Sequence, residues 1–454
     1  MTKNLVLFAA VLAAATACNK PAPDATNDKP ALAVVMEKHA RTEILDKWYP
    51  QAIDTVDGGF LSTFTYDFKP TGEQDKMIVT QSRHIWTNAK ASEIYPDKPH
   101  FLKGAQHGFE FLRDKMWDKQ YGGFHWLVDK KGNPKASGQG EKTAYGNAFG
   151  IYALSAYYKA SKDTAALNLA KKAFMWMEQH SHDNVYKGYY QHLTREGKVV
   201  PRDASVISTA ETGYKDQNSS IHLLEALAEL YQVWPDPLVR ERLEEMLVLI
   251  RDTITTPKGY LTLFLTPDWK PVTFADQPDS IVHKHHGLDH VSFGHDVETA
   301  FLMLEASHVL GLENDTLTMR KAKHMVDHAL ANGWDDKDGG FYDEGYYFKD
   351  KPGITITHDT KNWWAQAEGL NTLLLMADHF PDDDHHYYDK FIKLWGYCDK
   401  NLIDHQYGDW FEGGIDKQPE KKTANKGHIW KATYHQYRSL INCIKRLNGE
   451  EVHP

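Results

Sequence analysis

The sequence is poor in cysteine, in positive charge and in long apolar stretches. Its 454 residues include three cysteines, too few to build a disulfide framework for a chain of this length. The formal net charge is −10 and there is no basic block, so nucleic acid is not an expected partner. No apolar run is long enough to span a bilayer as a helix. The remaining composition, 41% hydrophobic and 25% charged, is that of a globular protein.

One shorter apolar run, at the N-terminus, is typical of a signal peptide. It extends from Leu5 to Ala17, follows Lys3 and ends at Cys18. Residues 1–18 resemble a bacterial lipoprotein signal, which implies that Cys18 is lipidated and anchors the protein in the cell envelope, on the periplasmic side or in the outer membrane. Ordinary cleavage beside an unmodified Cys18 is the alternative. Residues 19–30, rich in Pro, Asp and Lys, are predicted to form a flexible tether.

Three residue types are abundant: 25 histidines, 13 tryptophans and 23 tyrosines. Tryptophan and tyrosine offer flat apolar faces with a polar edge, and histidine titrates near neutral pH. This mixture favours carbohydrate chemistry, although composition alone does not identify a reaction.

A turn that combines glycine with an aromatic residue recurs six times along the chain. The turns are Asp57–Phe60, Tyr121–Phe124, Tyr186–Tyr189, Lys258–Tyr260, Asp338–Phe341 and Tyr407–Trp410. Their glycines, at positions 58, 122, 188, 259, 339 and 408, lie 64 to 80 residues apart. A spacing this regular indicates one repeating structural unit.

Pairs of helical patterns lie between these turns. The second pattern of each pair, with leucines at helical spacing, predicts inner helices at about 81–95, 145–160, 217–234, 295–311, 361–379 and 428–447. The first pattern, richer in Lys and Glu, predicts outer helices near 31–49, 98–117, 163–181, 237–254, 315–332 and 384–402.

Six helical hairpins can stack as an open solenoid or close into a ring. All six inner helices begin with polar or aromatic clusters: Gln81–His84, Tyr145–Asn147, Asn218–His222, His295–Glu298, Asn362–Glu368 and His428–Trp430. In a closed ring these clusters face one mouth, as a catalytic pocket requires. We therefore predict an all-α protein, a single (α/α)6 barrel domain over residues 31–454, with short β-turn excursions at the barrel mouth.

Helical spacing groups the polar residues of the clusters. The pairs that share a helix face are Asn218 with His222, Trp364 with Glu368, and His295 with Glu298. His435 lies deeper in the last inner helix. A lone helical histidine is more often a packed core residue, but three histidines at matching depths of a repeated architecture favour a functional site.

The same clusters resemble a known family. The chain is similar to the N-acylglucosamine 2-epimerase superfamily, and within it to the cellobiose and mannobiose 2-epimerases. The matching segments, in order along residues 35–445, are Gln81–Arg83, Tyr145–Phe149, Asn218–Ala226, Phe293–Glu298, Trp363–Glu368 and Trp430–His435. Two departures concern the substrate more than the chemistry: Ala432 and Thr433 replace the family's usual Cys-Pro, and Ser220 replaces a His or Asn of many relatives.

The resemblance implies a sugar 2-epimerase that inverts C2 at the reducing end of an aldose or of a β-1,4-linked disaccharide. Removing the weakly acidic C2 proton and returning it to the other face needs two proton-transfer groups, a task that suits histidine. The resemblance implies His295 and His435 as this pair. It also implies that Arg83 stabilises the enediolate.

The resemblance further implies a set of substrate-binding residues: Tyr145, Asn147, Asn218, His222, Glu298, Trp364, Glu368 and Trp430. His222 would assist ring opening, Glu298 and Glu368 would orient the catalytic imidazoles, and the two tryptophans would stack on sugar faces. This mechanism requires no cofactor and no metal. A small sugar would be the partner of a monomer or dimer.

Three alternative functions remain open. An aldose–ketose isomerase of the mannose isomerase type would share the enediol intermediate and return the proton to C1. A glycoside hydrolase would use two carboxylates such as Glu298 and Glu368. A glycan-binding lipoprotein would keep the tryptophans without needing Arg83, His295 and His435 together.

A histidine-rich stretch precedes the fourth inner helix. His283, His285, His286, His290 and His295 have spacings that can bind zinc. No fixed cysteine or carboxylate pattern accompanies them in the sequence. We therefore predict no metal site and interpret the stretch as a long connection.

Overall fold

The computed structural model describes residues 28–136, 141–202 and 210–450. Within these ranges, inner and outer helices alternate along the chain, and we number each set from first to sixth. The inner helices are Ile78–Ile94, Ala144–Ser161, Gln217–Val233, Phe293–Val309, Trp363–His379 and Tyr434–Leu447. The outer helices are Lys29–Lys38, His100–Phe111, Thr164–His180, Pro237–Leu249, Thr316–Gly333 and Tyr387–Asn401.

Shorter helical segments extend or connect these helices. Three outer helices continue into π-helical turns, namely His39–Leu45, Leu112–Met116 and Ile250–Ile254, and the first of these turns leads into Asp46–Trp48. The connection before the fourth inner helix contains Asp279–His285 and the 3-10 turn His286–Leu288, and a further 3-10 turn spans Pro419–Thr423. In the part of the chain that the structure describes, no helix is both long and apolar enough to cross a membrane.

The inner helices form a closed ring. Each one packs against the next, and the sixth packs against the first, which makes the fold the predicted (α/α)6 barrel. Each of the first five inner helices also packs against the outer helix that follows it in the chain. The sixth has no follower and packs instead against the first outer helix, so the two ends of the described chain close the barrel together.

Burial distinguishes the two rings of helices. In the second inner helix every residue from Ala144 to Tyr157 is buried, because its neighbours surround it on all sides. In the third outer helix the buried residues, such as Ala166, Ala170 and Ala173, follow a single stripe at helical spacing. A helix that is apolar on all faces is stable only inside a protein. The distribution of apolar residues along a helix therefore indicates whether it belongs to the inner or to the outer ring.

Among the helix starts that differ from the predicted ones, two bear on the cavity or on the tether. The sixth inner helix begins at Tyr434 rather than at 428, because His428 and Lys431 pair in a tight turn that places Trp430 on a loop over the mouth. The first outer helix begins at Lys29, where Asp28 caps it by accepting a hydrogen bond from the Ala31 N–H (3.1 Å). The helix thus includes the end of the predicted tether. The rest of the tether, the signal segment and Cys18 lie outside the described residues.

Short antiparallel strands join neighbouring repeats at the mouth. The pairs are Lys76–Met77 with Leu127–Val128, Lys142–Thr143 with His192–Leu193, Lys215–Asp216 with Phe264–Leu265, and Val291–Ser292 with Glu344–Tyr346. Glu344–Tyr346 pairs in turn with Thr355–His358. The first strand of each pair leads directly into an inner helix. The strands therefore fix where these helices start, in the place of the predicted β-turn excursions.

A buried lysine–aspartate pair recurs beneath the glycine turns. The Nζ–Oδ2 distances are 2.8 Å for Lys76–Asp54, 3.0 Å for Lys142–Asp118, 2.8 Å for Lys215–Asp183 and 2.7 Å for Lys361–Asp335. Each lysine Nζ also donates to a carbonyl of the turn, such as that of Gly58 (2.5 Å) or Gly339 (2.6 Å). Breaking a buried pair of this kind costs about 3–5 kcal/mol, so these pairs hold the turns against the helix starts.

The contact between the second outer helix and the first inner helix requires a glycine. A Cβ on Gly108 would lie 2.4 Å from Ile85 Cγ1 and 2.5 Å from Phe60 Cε2. We expect Gly108→Ala to lower the free energy of unfolding by about 1–3 kcal/mol through overpacking, as measured by denaturant unfolding. Gly396→Ala in the sixth outer helix is the control, since nothing lies within 4 Å of its Cβ. Equal destabilisation by both variants would contradict this packing.

Candidate active site

The six clusters at the helix starts converge on one cavity of about 250 Å³. Its lining residues come from all six inner helices and the loop before the last one. They are Arg83, Tyr145, Asn218, His222, His295, Glu298, Trp363, Trp364, Trp430 and His435. The predicted meeting of the clusters at one mouth is therefore what the structure shows.

His435 is held by a carboxylate behind it. Its Nδ1 lies 2.8 Å from Glu368 Oε1 and 3.8 Å from Glu298 Oε1. Burial lowers the pKa of His435 well below its ordinary value, and the nearby guanidinium groups of Arg83 and Arg438 lower it further. The imidazole is therefore neutral at pH 7. Because Nδ1 is engaged by Glu368, Nε2 is the nitrogen available to a molecule in the cavity.

His295 has a different partner from that of His435. Its Nδ1 lies 2.8 Å from the hydroxyl oxygen of Ser292, and burial lowers its pKa to about 3. The Trp364 ring contacts both imidazoles, with ring centroids 4.6 Å apart for His295 and 5.9 Å apart for His435. Two neutral imidazoles therefore line one cavity, and both contact the same indole. Each can accept a proton there.

Arg83 supplies a positive charge to the cavity. Its Nη1 donates to the carbonyl of Trp430 (2.9 Å) and its Nη2 to the hydroxyl of Tyr145 (3.4 Å). The guanidinium stacks over the Phe149 ring, 4.9 Å from its centroid. No carboxylate of the described residues lies within 4.0 Å of it. An arginine without a carboxylate partner in a cavity wall is suited to stabilising a substrate oxygen that becomes negative.

A third imidazole lies deeper in the wall. His222 Nδ1 is 2.9 Å from Glu225 Oε2, and its ring packs edge-on against Tyr145 at a centroid distance of 5.2 Å. Glu225 also accepts from Tyr434 and from Arg438. Although burial opposes its ionisation, Arg438 and His222 hold its pKa to about 2.

Arg438 connects this wall to the carboxylates behind His435. Its Nη2 donates to Glu298 Oε1 (2.7 Å) and to Glu368 Oε1 (2.6 Å). Burial raises the pKa of both carboxyl groups to about 7, and for Glu298 the neighbouring Glu368 adds to the effect. The two oxygens and His435 Nδ1 lie within 4.8 Å of one another, a spacing that could hold a metal ion. The guanidinium already provides a cation at this place.

This geometry argues against the hydrolase alternative. A glycosidase needs two carboxylates that flank the scissile bond from opposite sides, about 5–9.5 Å apart. Here Glu298 and Glu368 share one guanidinium nitrogen, and Glu368 does not line the cavity. Glu368 was expected both to bind substrate and to orient an imidazole, and its position behind His435 fits the second role.

Asn147 was also expected to bind substrate, but it does not line the cavity. It is fully buried beneath a turn, where its Oδ1 accepts from the Phe124 N–H (2.9 Å) and its Nδ2 donates to the Thr143 carbonyl (2.9 Å). Gln81 and Gln366 hold the N–H groups of Phe60 and Phe341 in the same way (2.8 Å each). These amides belong to the frame of the barrel, not to the cavity.

Two members of the network were missed by sequence reasoning: Arg438 and Glu225. Each lies three residues after a cavity histidine, so one helical turn carries both side chains on the same face. This three-residue spacing from a histidine was the sequence signal that could have identified both residues. The departures at Ser220, Ala432 and Thr433 all lie outside the cavity lining. They do not alter the surface that a substrate would meet.

Comparison with known proteins identifies the family. The family model described as N-acylglucosamine 2-epimerase (GlcNAc 2-epimerase) matches residues 58–439. The chain belongs to this family. It is therefore an enzyme of the carbohydrate epimerase and isomerase class.

Relatives from several bacteria match nearly the whole chain. A cellobiose 2-epimerase of Ruminococcus albus is 30% identical over 427 residues, which cover 91% of this chain and 99% of the relative. A D-mannose isomerase of Marinomonas mediterranea is 25% identical and covers 88% of this chain and 94% of the relative. The solved structure of a cellobiose 2-epimerase from Spirochaeta thermophila superposes with a TM-score of 0.77 at 27% identity, covering 94% of this chain and 99% of that one.

The support of His435 by Glu368 predicts a pH dependence. Ionised Glu368 stabilises the imidazolium that forms when His435 accepts a proton, and burial raises the pKa of Glu368 to about 7. We expect kcat to fall as the pH drops below about 7, because the carboxyl group then becomes neutral. Glu368→Gln should lower kcat at pH 8 at least about tenfold, with a smaller effect on KM, and should remove this acid limb.

The control for this prediction is Glu313→Gln, which changes an exposed carboxylate away from the cavity. Its pH profile of kcat should match that of the wild type. An unchanged acid limb in Glu368→Gln would show that another group controls the profile.

Proposed function

We propose that this family member inverts C2 at the reducing end of a short β-1,4-linked disaccharide of the cellobiose or mannobiose type. The observation that carries the proposal is the pair of neutral imidazoles, His295 and His435, in one cavity with the unpaired cation of Arg83. Inversion at carbon needs a base on one face and an acid on the other, and this pair can serve both purposes.

The reaction proceeds through an open-chain sugar. One imidazole accepts the C2 proton, and the electron pair of the broken C–H bond moves towards C1 to give an enediolate. Arg83 stabilises the oxygen that gains negative charge. The other imidazole, once it has taken a proton from solvent, delivers that proton to the opposite face of C2, and the C1 carbonyl re-forms. The first imidazole releases the proton it accepted to solvent, so both return to the neutral form. In the reverse direction the two histidines exchange roles.

His222 is placed to assist ring opening. A cyclic sugar must lose its anomeric hydroxyl proton and gain a proton on the ring oxygen before C2 becomes acidic. His222 lines the cavity, and its Nδ1 is fixed by Glu225 at 2.9 Å, which leaves Nε2 for the substrate. Asn218 lies one helical turn earlier on the same face of the third inner helix, next to the same substrate region.

A neighbouring cavity supports a disaccharide as substrate. It has a volume of about 290 Å³ and shares Tyr145, Asn218, His295 and Trp430 with the first cavity. Trp430 is 41% exposed, and its ring lies 5.8 Å from that of Trp126. The exposed indole of Trp430 at the edge of this cavity suits the apolar face of a second sugar. The two cavities together fall within the usual range for small-ligand sites, about 300–1,000 Å³.

Aldose–ketose isomerisation is the second candidate. It is favoured by the D-mannose isomerase relative that covers 88% of this chain, and it uses the same enediolate. The two reactions differ in whether the proton returns to C2 or to C1. Chromatography of the products from cellobiose and from mannose separates them, since an epimerase forms a new aldose and an isomerase a ketose.

The two histidines provide the decisive variants. We expect His295→Ala and His435→Ala each to lower the rate of cellobiose epimerisation at least about a hundredfold, because inversion needs both proton transfers. Circular dichroism should show unchanged folding, since both side chains face a cavity. His100→Ala, at an exposed position of the second outer helix, is the control and should keep full activity. Substantial epimerisation by either catalytic variant would overturn the assignment.

We further propose that Cys18 carries a lipid anchor in the bacterial cell envelope. The support is the sequence pattern alone: an uncharged run that ends at Cys18, followed by a polar segment. In a host that processes lipoproteins, the wild type should fractionate with membranes and Cys18→Ala should be soluble, because several acyl chains on one cysteine anchor firmly. A wild-type protein found in the soluble fraction would contradict the proposal.

A further inference from the structure

A second cluster of histidines lies beside the mouth, outside the catalytic cavity. His286 and His290 come from the connection before the fourth inner helix. Glu344 and His358 come from the two strands of the next repeat, Glu344–Tyr346 and Thr355–His358. No fixed carboxylate pattern accompanies the histidine-rich stretch in the sequence. The fold supplies Glu344, which lies 54 residues further along the chain than His290.

The side chains of this cluster lie close together without forming good hydrogen bonds to one another. His286 Nε2 lies 3.4 Å from Glu344 Oε2, and His290 Nε2 lies 3.7 Å from Glu344 Oε1. His358 Nδ1 is 2.8 Å from Glu344 Oε2, yet this buried oxygen has no hydrogen-bond partner of acceptable geometry. A buried carboxylate oxygen without a hydrogen bond, amid three imidazoles, requires an explanation.

One metal ion explains these separations. Two ligands on a tetrahedral zinc ion, each about 2.0–2.1 Å from it, lie about 3.3 Å apart. The ligand atoms of His286, Glu344 and His358 all lie within 4.8 Å of one another, so small side-chain rotations bring them to one ion. Imidazole nitrogens with one carboxylate oxygen are a ligand set that zinc prefers.

We propose that His286, Glu344 and His358 bind one Zn²⁺ ion. His290 lies beside this set, with its Nε2 3.7 Å from Glu344 Oε1. The other histidines of the stretch are engaged elsewhere. His285 is buried and stacks on Phe274 at a centroid distance of 4.3 Å, and His295 lies in the catalytic cavity. The sequence-based prediction that no metal binds this stretch is thereby revised.

The ion would tie together two segments that border the active site. Glu344 pairs with Ser292 in the antiparallel register, and the Ser292 hydroxyl oxygen lies 2.8 Å from His295 Nδ1. The proposed ligand Glu344 is therefore paired across the two strands with Ser292, the residue that contacts the cavity histidine His295. The zinc would hold the connection and the strand pair in place at this edge of the mouth. The metal site itself does not depend on the proposed reaction.

The test uses the full chain, freed of metal with a chelator and titrated with Zn²⁺. We expect one Zn²⁺ per chain by elemental analysis and calorimetry, and a Tm that rises with the logarithm of the zinc concentration. His358→Ala and the conservative Glu344→Gln should lower the zinc affinity at least about a hundredfold, since even partners behind a ligand contribute ten- to hundredfold. His283→Ala, an exposed histidine on the adjacent helix, is the control and should bind as the wild type does.

Three outcomes would overturn the proposal. The first is a wild type that binds zinc no better than Glu344→Gln, whose fold is checked by circular dichroism. The second is an equal loss of affinity in His283→Ala, which would indicate nonspecific surface binding. The third is zinc binding that survives in His358→Ala but is lost in His435→Ala, which would place the ion among Glu298, Glu368 and His435 instead.

Discussion

A single guanidinium, that of Arg438, organises the catalytic side of the barrel. It donates to carboxylates from three inner helices: Glu225, Glu298 and Glu368. These groups are buried, so water cannot replace a lost partner, and removing one member of such a network costs about 3–5 kcal/mol. Because Glu225 holds His222 and Glu368 holds His435, the orientation of two cavity imidazoles depends on the same cation. The chemistry of the site therefore rests on a charge that does not itself line the cavity.

Some residues at the mouth form a frame that holds the glycine turns, and others line the cavity. Residues of the two kinds are often only two positions apart in the sequence. Gln81 holds a turn while Arg83 faces the cavity, and Gln366 holds a turn while Trp364 contacts the imidazoles of His295 and His435. Residues two apart on a helix point in different directions, so one short cluster can serve both tasks. The repeated lysine–aspartate pairs complete the frame and keep the turns against the helix starts. Neutral imidazoles can then be held in the cavity without collapse of the mouth.

The period of the glycine turns predicted six helical hairpins, and the polar starts of the inner helices favoured a closed barrel over an open solenoid. The same clusters located the cavity, but they did not separate residues that face it from those that face a turn, as Asn147 demonstrates. Spacing along one helix could not reveal that Arg438 reaches carboxylates on three other helices, since that contact depends on how the ring closes. The meeting of His286 with Glu344 likewise needs the pairing of strands from consecutive repeats.

The central claim is that C2 is inverted by two imidazoles, one on each face. The most direct measurement is nuclear magnetic resonance of the products after incubation with cellobiose in heavy water. Two-base inversion predicts one deuterium at C2 of the new epimer, because the proton that the second histidine delivers comes from solvent. An epimer that carries no deuterium at C2, or a ketose labelled at C1 as the main product, would contradict the account.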